Sequence, residues 1–163
     1  MKRLLFLAAI ACMSLFAACE KEDVTHTGDF SGNLYGIWAL TTKSETYPNP
    51  SGEKASYDED YTSHHFYLVL SEFPFPHAVA KKGSLSAFDL DDVDVDAVRF
   101  TYNSDTRKIK FQKALWLSDE LLTRNMYLSG TFDVTELSEN RLIIEQYEKL
   151  TGKTIGYTYV RQK

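Results

Sequence analysis

The chain carries few residues whose type and spacing could do chemistry. Four histidines are present, at His26, His64, His65 and His77. His64 and His65 are adjacent, so in an extended segment they point to opposite faces and cannot chelate one ion. His26 falls in a polar stretch and His77 follows Pro76, and no H-x-x-x-H or H-E-x-x-H spacing occurs. A run of acids, Asp89, Asp91, Asp92, Asp94 and Asp96, sets three carboxylates on one face of an extended segment, about 7 Å apart. Calcium takes six to eight oxygens, and the glycine and closing glutamate of an EF-hand loop are missing, so a solvated acidic edge is the expected reading. There is no G-x-S-x-G elbow and no phosphate-binding glycine loop. The expectation is a protein that is not an enzyme, with no metal and no cofactor.

The two cysteines have a different role. Cys12 and Cys19 both lie at the N-terminus. Lys2 and Arg3 precede an uncharged apolar run from Leu4 to Ala18, too short for the roughly 20 residues that span a bilayer but suited to a secretory h-region. Phe16-Ala17-Ala18-Cys19 then meets Glu20-Lys21-Glu22-Asp23. This junction resembles the lipobox of bacterial lipoproteins, with Phe16 where leucine is usual. The resemblance implies cleavage before Cys19 and lipid on its sulfur, and several acyl chains together anchor stably. Lys21-Glu22-Asp23 resembles the lysine-plus-acid signal that sends some lipoproteins to the outer cell surface in one phylum of Gram-negative bacteria. The expected address is therefore the cell envelope, as an outer membrane lipoprotein displayed on the surface.

Removing residues 1–18 takes away two positive charges and moves the net charge from −5 to −7. An acidic chain without a basic cluster argues against nucleic acid as a partner. With Cys12 discarded and Cys19 acylated no disulfide is available, so the core must supply the stability. Ten Phe, ten Tyr and two Trp favour strands.

Residues 19–33 are the acylated N-terminus and a flexible tether, and residues 34–163 form one domain. Leu34–Thr42 is the first strand. Residues 43–63, with Pro48 and Pro50, are expected to be a long loop or lid. His65–Ser71 is a second strand, stopped by Pro74 and Pro76, and a short strand is expected near Lys82–Phe88. Ala97–Asn103 and Lys108–Gln112 make a hairpin, with Val98, Phe100, Tyr102, Ile109 and Phe111 inward. Leu115–Thr123 suits a strand or a helical turn. Met126–Val134, Arg141–Tyr147 and Lys153–Arg161 complete a meander. The fold class is all-β, an antiparallel up-and-down barrel of about eight strands.

Gly36-Ile37-Trp38 is a G-x-W in the first strand, and the chain closes on Tyr157-Thr158-Tyr159-Val160-Arg161. Together they resemble the lipocalin pattern, and the last third resembles lipocalin-like lipoproteins of the same bacterial phylum. The resemblance implies that Gly36, Trp38 and Arg161 are structural, with the arginine stacked over the tryptophan to close one end. It implies a small apolar or amphipathic ligand. The alternative is an accessory lipoprotein with a filled barrel that docks on another envelope protein through its surface and the 43–63 loop. Tyr47, Tyr57, Tyr61, Phe73, Phe75 and Trp116 fall in or beside irregular segments, where they either line a cavity mouth or plug the barrel; the plug is the expected reading.

Overall fold

Strand alternation in the sequence becomes one antiparallel sheet that curls until its first and last strands meet. The computed structural model describes residues 28–49, 51, 53–87 and 96–162. Among them the strands are β1 (Gly36–Pro48), β2 (Lys54–Asp60), β3 (Phe66–Ser71), β4 (His77–Lys82), β5 (Val98–Asn103), β6 (Lys108–Ser118), β7 (Asn125–Leu137), β8 (Arg141–Glu148) and β9 (Lys153–Arg161). Each pairs with its neighbour in the order β2-β1-β3-β4-β5-β6-β7-β8-β9, and β9 pairs back onto β1. Eight strands thus close an up-and-down barrel, in keeping with a lipocalin-like architecture. β2 is the additional one. It flanks the upper half of β1, from Thr42 to Pro48, while β3 flanks the lower half, from Gly36 to Ala39.

Two expectations are corrected. β1 does not stop at Thr42 but runs on to Pro48, and the supposed loop 43–63 is largely β1's upper half and β2. Polarity misled the reading, because this half of β1 faces a polar barrel mouth. Pro48 is the last paired residue, opposite Lys54 at the hairpin end, a position where a strand tolerates proline. The short strand expected near 82–88 lies earlier, at His77–Lys82, and Leu85–Ala87 is a single 3-10 turn. The segment from Leu115 splits into the end of β6 and an irregular connection to β7.

Inward-facing side chains make the core. Trp38, Leu40, Phe66, Leu68, Ile109, Phe132, Ile144 and Tyr159 are among those buried from solvent. Rings tie neighbouring strands together edge to face, Phe111 on Phe132 and Phe132 on Tyr157, with centroids 6.0 and 6.2 Å apart. Phase is corrected where it slips. β1 bulges between Leu40 and Thr42, and the extra residue Thr41 donates its hydroxyl to Thr158 O at 3.0 Å. Beyond that bulge Lys43 and Glu45 pair with Tyr157 and Ile155, and share their inward face.

The start of the described chain is docked. Leu137 N–H donates to Asp29 O (2.7 Å) and Gly32 N–H to Leu137 O (2.8 Å). The Phe30 ring lies 3.6 Å beneath the Arg107 guanidinium. Residues 28–33 of the expected tether therefore lie along the lower end of β7.

Candidate functional site

The two ends of the barrel differ in chemistry. At the lower end the Arg161 guanidinium sits 4.2 Å over the Trp38 ring. Its nitrogens donate to Glu139 O (2.7 Å), Tyr35 O (2.9 Å) and Asn33 O. Trp38 Nε1 donates to Leu34 O at 2.8 Å. Gly36 has φ +146, and a side chain there would run into the Arg161 fork. Gly36, Trp38 and Arg161 are thus brought together. Their hydrogen-bonding groups are taken by backbone carbonyls, so this end is a closure.

The upper end is looser because one seam opens. β7 and β8 pair only from Leu137↔Leu142 to Asp133↔Glu145, whereas β8 stays with β9 up to Glu148↔Lys153. The upper half of β7 leaves β8, and its free backbone edge is satisfied by side chains instead. Tyr61 Oη donates to Asn125 O (2.8 Å) and accepts from Asn125 N–H (3.0 Å). Tyr157 Oη does the same at Tyr127, donating at 2.9 Å and accepting at 3.3 Å. Gln146 Nε2 donates to Ser129 O and Thr131 O at 2.9 and 3.0 Å. Each group, most of them part-buried, would otherwise lack a protein partner. Three side chains replace a missing ladder.

The gap they bridge is a cleft of about 290 Å³ between β1, β7, β8 and β9. Phe132, Ile155 and Tyr157 give it an apolar floor, and Lys43, Glu45 and Lys153 stand among its polar walls. Glu45 lies 3.6 Å from Lys43 and 3.5 Å from Lys153, and Tyr47 Oη donates to it. Partial burial would raise the Glu45 carboxyl, but the Tyr47 hydroxyl and the two ammonium groups outweigh it and hold it below the ordinary range. Burial pushes the Tyr157 phenol up to about 12, so it stays a neutral donor. Burial likewise raises Tyr61 and Tyr159. The cleft can hold an apolar body against its floor and a head bearing charge at its rim.

Other candidates scatter. His77 opens β4, buried, with Nδ1 2.8 Å from Phe75 O. His64 packs against the Tyr61 and Phe66 rings, and His65 is exposed at φ +52. Among the described residues no group of His, Cys, Asp and Glu could hold a metal. Cys12, Cys19, His26 and the acidic positions from Asp89 to Asp94 lie outside the described residues. Of the irregular-segment aromatics, Tyr61 is a buried plug, and Phe75 lies under Arg99 at 3.9 Å. Tyr57, Phe73 and Trp116 are exposed. Among the described residues no helix is long and apolar enough to cross a membrane.

Sequence reasoning missed the cleft residues, although a signal existed. Along β8 the inward phase runs Leu142, Ile144, Gln146, Glu148, and along β9 it runs back through Tyr159, Tyr157, Ile155, Lys153. Both turn from apolar to polar toward the same end. Compared with known proteins, the chain matches no family model, no curated protein and no solved structure.

Proposed function

We propose that this chain is a non-enzymatic envelope lipoprotein, acylated at Cys19, whose barrel holds a small amphipathic ligand at its mouth. The observation that carries the reading is the opened β7–β8 seam, with an apolar floor and a charged rim around about 290 Å³. That volume stands near the lower end of small-molecule sites, which run from about 300 Å³ upward. The core side chains named above occupy the barrel interior, which disfavours a wholly apolar ligand in a deep cup. A ligand at the mouth needs an apolar portion for Phe132 and Ile155 and a polar or zwitterionic head for Lys43, Glu45 and Lys153.

Orientation supports the same reading. Residues 28–33 dock beside Leu137 and Ser138, at the end closed by Trp38 and Arg161. A lipid anchor at Cys19 would enter there. β1 has 13 residues, and with the tilt of barrel strands the mouth would stand about 30 Å further from the membrane. An open mouth facing away from the lipid suits capture of a solute.

A second reading, docking onto another envelope protein, is favoured by one feature. The β6–β7 connection exposes Leu121 and Leu122 at 82 and 67%, beside the outward pair Trp116 and Tyr127. Native mass spectrometry of the full-length protein from its own host separates the two. A retained small molecule is the expected result. A bare barrel, or one carrying only a partner protein, refutes the ligand reading.

A further inference from the structure

Among the described residues β2 has an unpaired edge, and its hydrogen-bonding parity can be read from its ends. Tyr61 N–H donates to Thr41 O at 2.8 Å and Asn49 N–H to Glu53 O at 2.9 Å, bracketing the β1–β2 ladder. In an antiparallel pair hydrogen-bonded and non-hydrogen-bonded pairs alternate. With the register Thr42↔Asp60 to Pro48↔Lys54, the bonded pairs are Lys43/Glu59, Glu45/Tyr57 and Tyr47/Ala55. Lys54, Ser56, Asp58 and Asp60 therefore turn their N–H and C=O groups to the opposite edge. Among the described residues no strand pairs with that edge. All of β2 except Glu59 is exposed, Tyr57 at 59%. A free edge of this length is a template for another strand.

We propose that this edge pairs with β2 of a second copy of the chain, about a two-fold axis through Tyr57. The sequence Lys54-Ala55-Ser56-Tyr57-Asp58-Glu59-Asp60 is complementary to itself in that register. Lys54 falls opposite Asp60 and Ser56 opposite Asp58, both as hydrogen-bonded pairs built from groups that already point outward. Ala55 falls opposite Glu59, and Tyr57 meets its own copy in a non-hydrogen-bonded pair. Parity allows only shifts of two residues. A shift one way opposes Asp58 to Asp58, and the other opposes Glu53 to Glu59, each a repulsive cross-strand pair. Only the register centred on Tyr57 brings opposite charges together without opposing like ones. Such a contact is isologous and closes, so it gives a dimer and no fibre. Because its two-fold sets the two barrels end for end, it joins chains freed into detergent or anchored on two facing surfaces, not chains side by side on one membrane.

Cysteine cross-linking of the full-length chain in detergent extracts, with copper-phenanthroline as oxidant, tests the register. Opposed residues of a non-hydrogen-bonded pair have Cα atoms about 4.5 Å apart, within disulfide range. Tyr57→Cys is expected to give a disulfide dimer about tenfold above the unsubstituted chain, which controls for Cys12 and Cys19. Ser56→Cys would lie beyond about 7 Å from its own copy and is expected to stay at background. Adding Ser56→Pro to Tyr57→Cys removes an outward N–H without touching the β1 ladder. It is expected to abolish the band while circular dichroism stays unchanged. A Tyr57→Cys yield at background, equal cross-linking at 56 and 57, or a band that survives Ser56→Pro with the fold intact would each overturn the proposal.

Discussion

Single residues decide how each end of this barrel behaves. Arg161 combines a stacked guanidinium with three donated bonds to carbonyls from Asn33, Tyr35 and Glu139, and so ties the N-terminal segment and the β7–β8 turn to the last strand. A lysine keeps the charge but loses the planar fork. Arg161→Lys is expected to cost about 2 kcal/mol, lowering Tm by roughly 4–8 °C in a differential scanning experiment. A change within 1 °C would show that the closure carries little stability. Glu145 offers a pH-dependent counterpart. Burial raises its carboxyl, with help from Asp133, above the ordinary value of 4.5. As pH rises through that value the unfolded chain loses its proton before the folded one does, so stability falls across the window and then levels. Glu145→Gln escapes this loss. It is expected to match the parent in acid below the ordinary value and to exceed it at neutral pH by under about 1 kcal/mol, since the side chain is only half-buried. Urea denaturation at the two pH values reads the difference, and an advantage confined to acid would contradict it.

At the scale of elements, the upper half of β7 is the unusual one, an inner strand edge held by side chains. Tyr61 and Tyr157 each serve both backbone groups of one residue, and Gln146 serves two carbonyls. Removing a phenolic oxygen leaves a part-buried N–H and C=O without their protein partner, which costs roughly 1–2 kcal/mol. Tyr61→Phe is expected to speed amide exchange at Asn125, and Tyr157→Phe at Tyr127, by about tenfold or more, with Asp133 unaffected. Exchange resolved by NMR checks this, and uniform acceleration across β7 would point to global destabilisation instead. These caps also show why parts of the fold were legible and others were not. Over Met126–Val134 of β7 and Ile155–Tyr159 of β9 apolar residues alternate, and β8 opens on the apolar Leu142-Ile143-Ile144, so the positions of these strands follow from the sequence. β1's upper half and β2 were hidden because Lys43, Glu45 and Tyr47 face a polar mouth, so no apolar alternation marks them. Thr41 also shifts the phase by one. Gly36, Trp38 and Arg161 could be named from a short motif and a chain end. Gln146 could not, and Tyr61 was legible only as a plug and not as a cap on Asn125, because their partners become neighbours only once the seam has opened.

For the whole molecule, a closed lower end, an opened mouth and a docked N-terminal segment suggest one arrangement. In the proposed arrangement the end that would carry the anchor is sealed, and recognition would fall to the opposite end. The central claim is that a small amphipathic molecule sits in the cleft above Phe132, Ile155 and Tyr157. Native mass spectrometry of the full-length chain from its own host, set beside an Ile155→Trp variant from the same host, tests it most directly. Ile155 is a partly buried floor residue, and indole at that position would fill much of a cleft of about 290 Å³. The expected result is a bound mass of a few hundred daltons on the parent and its absence from a folded variant. Equal occupancy of parent and variant, or a parent that carries nothing, would contradict the claim.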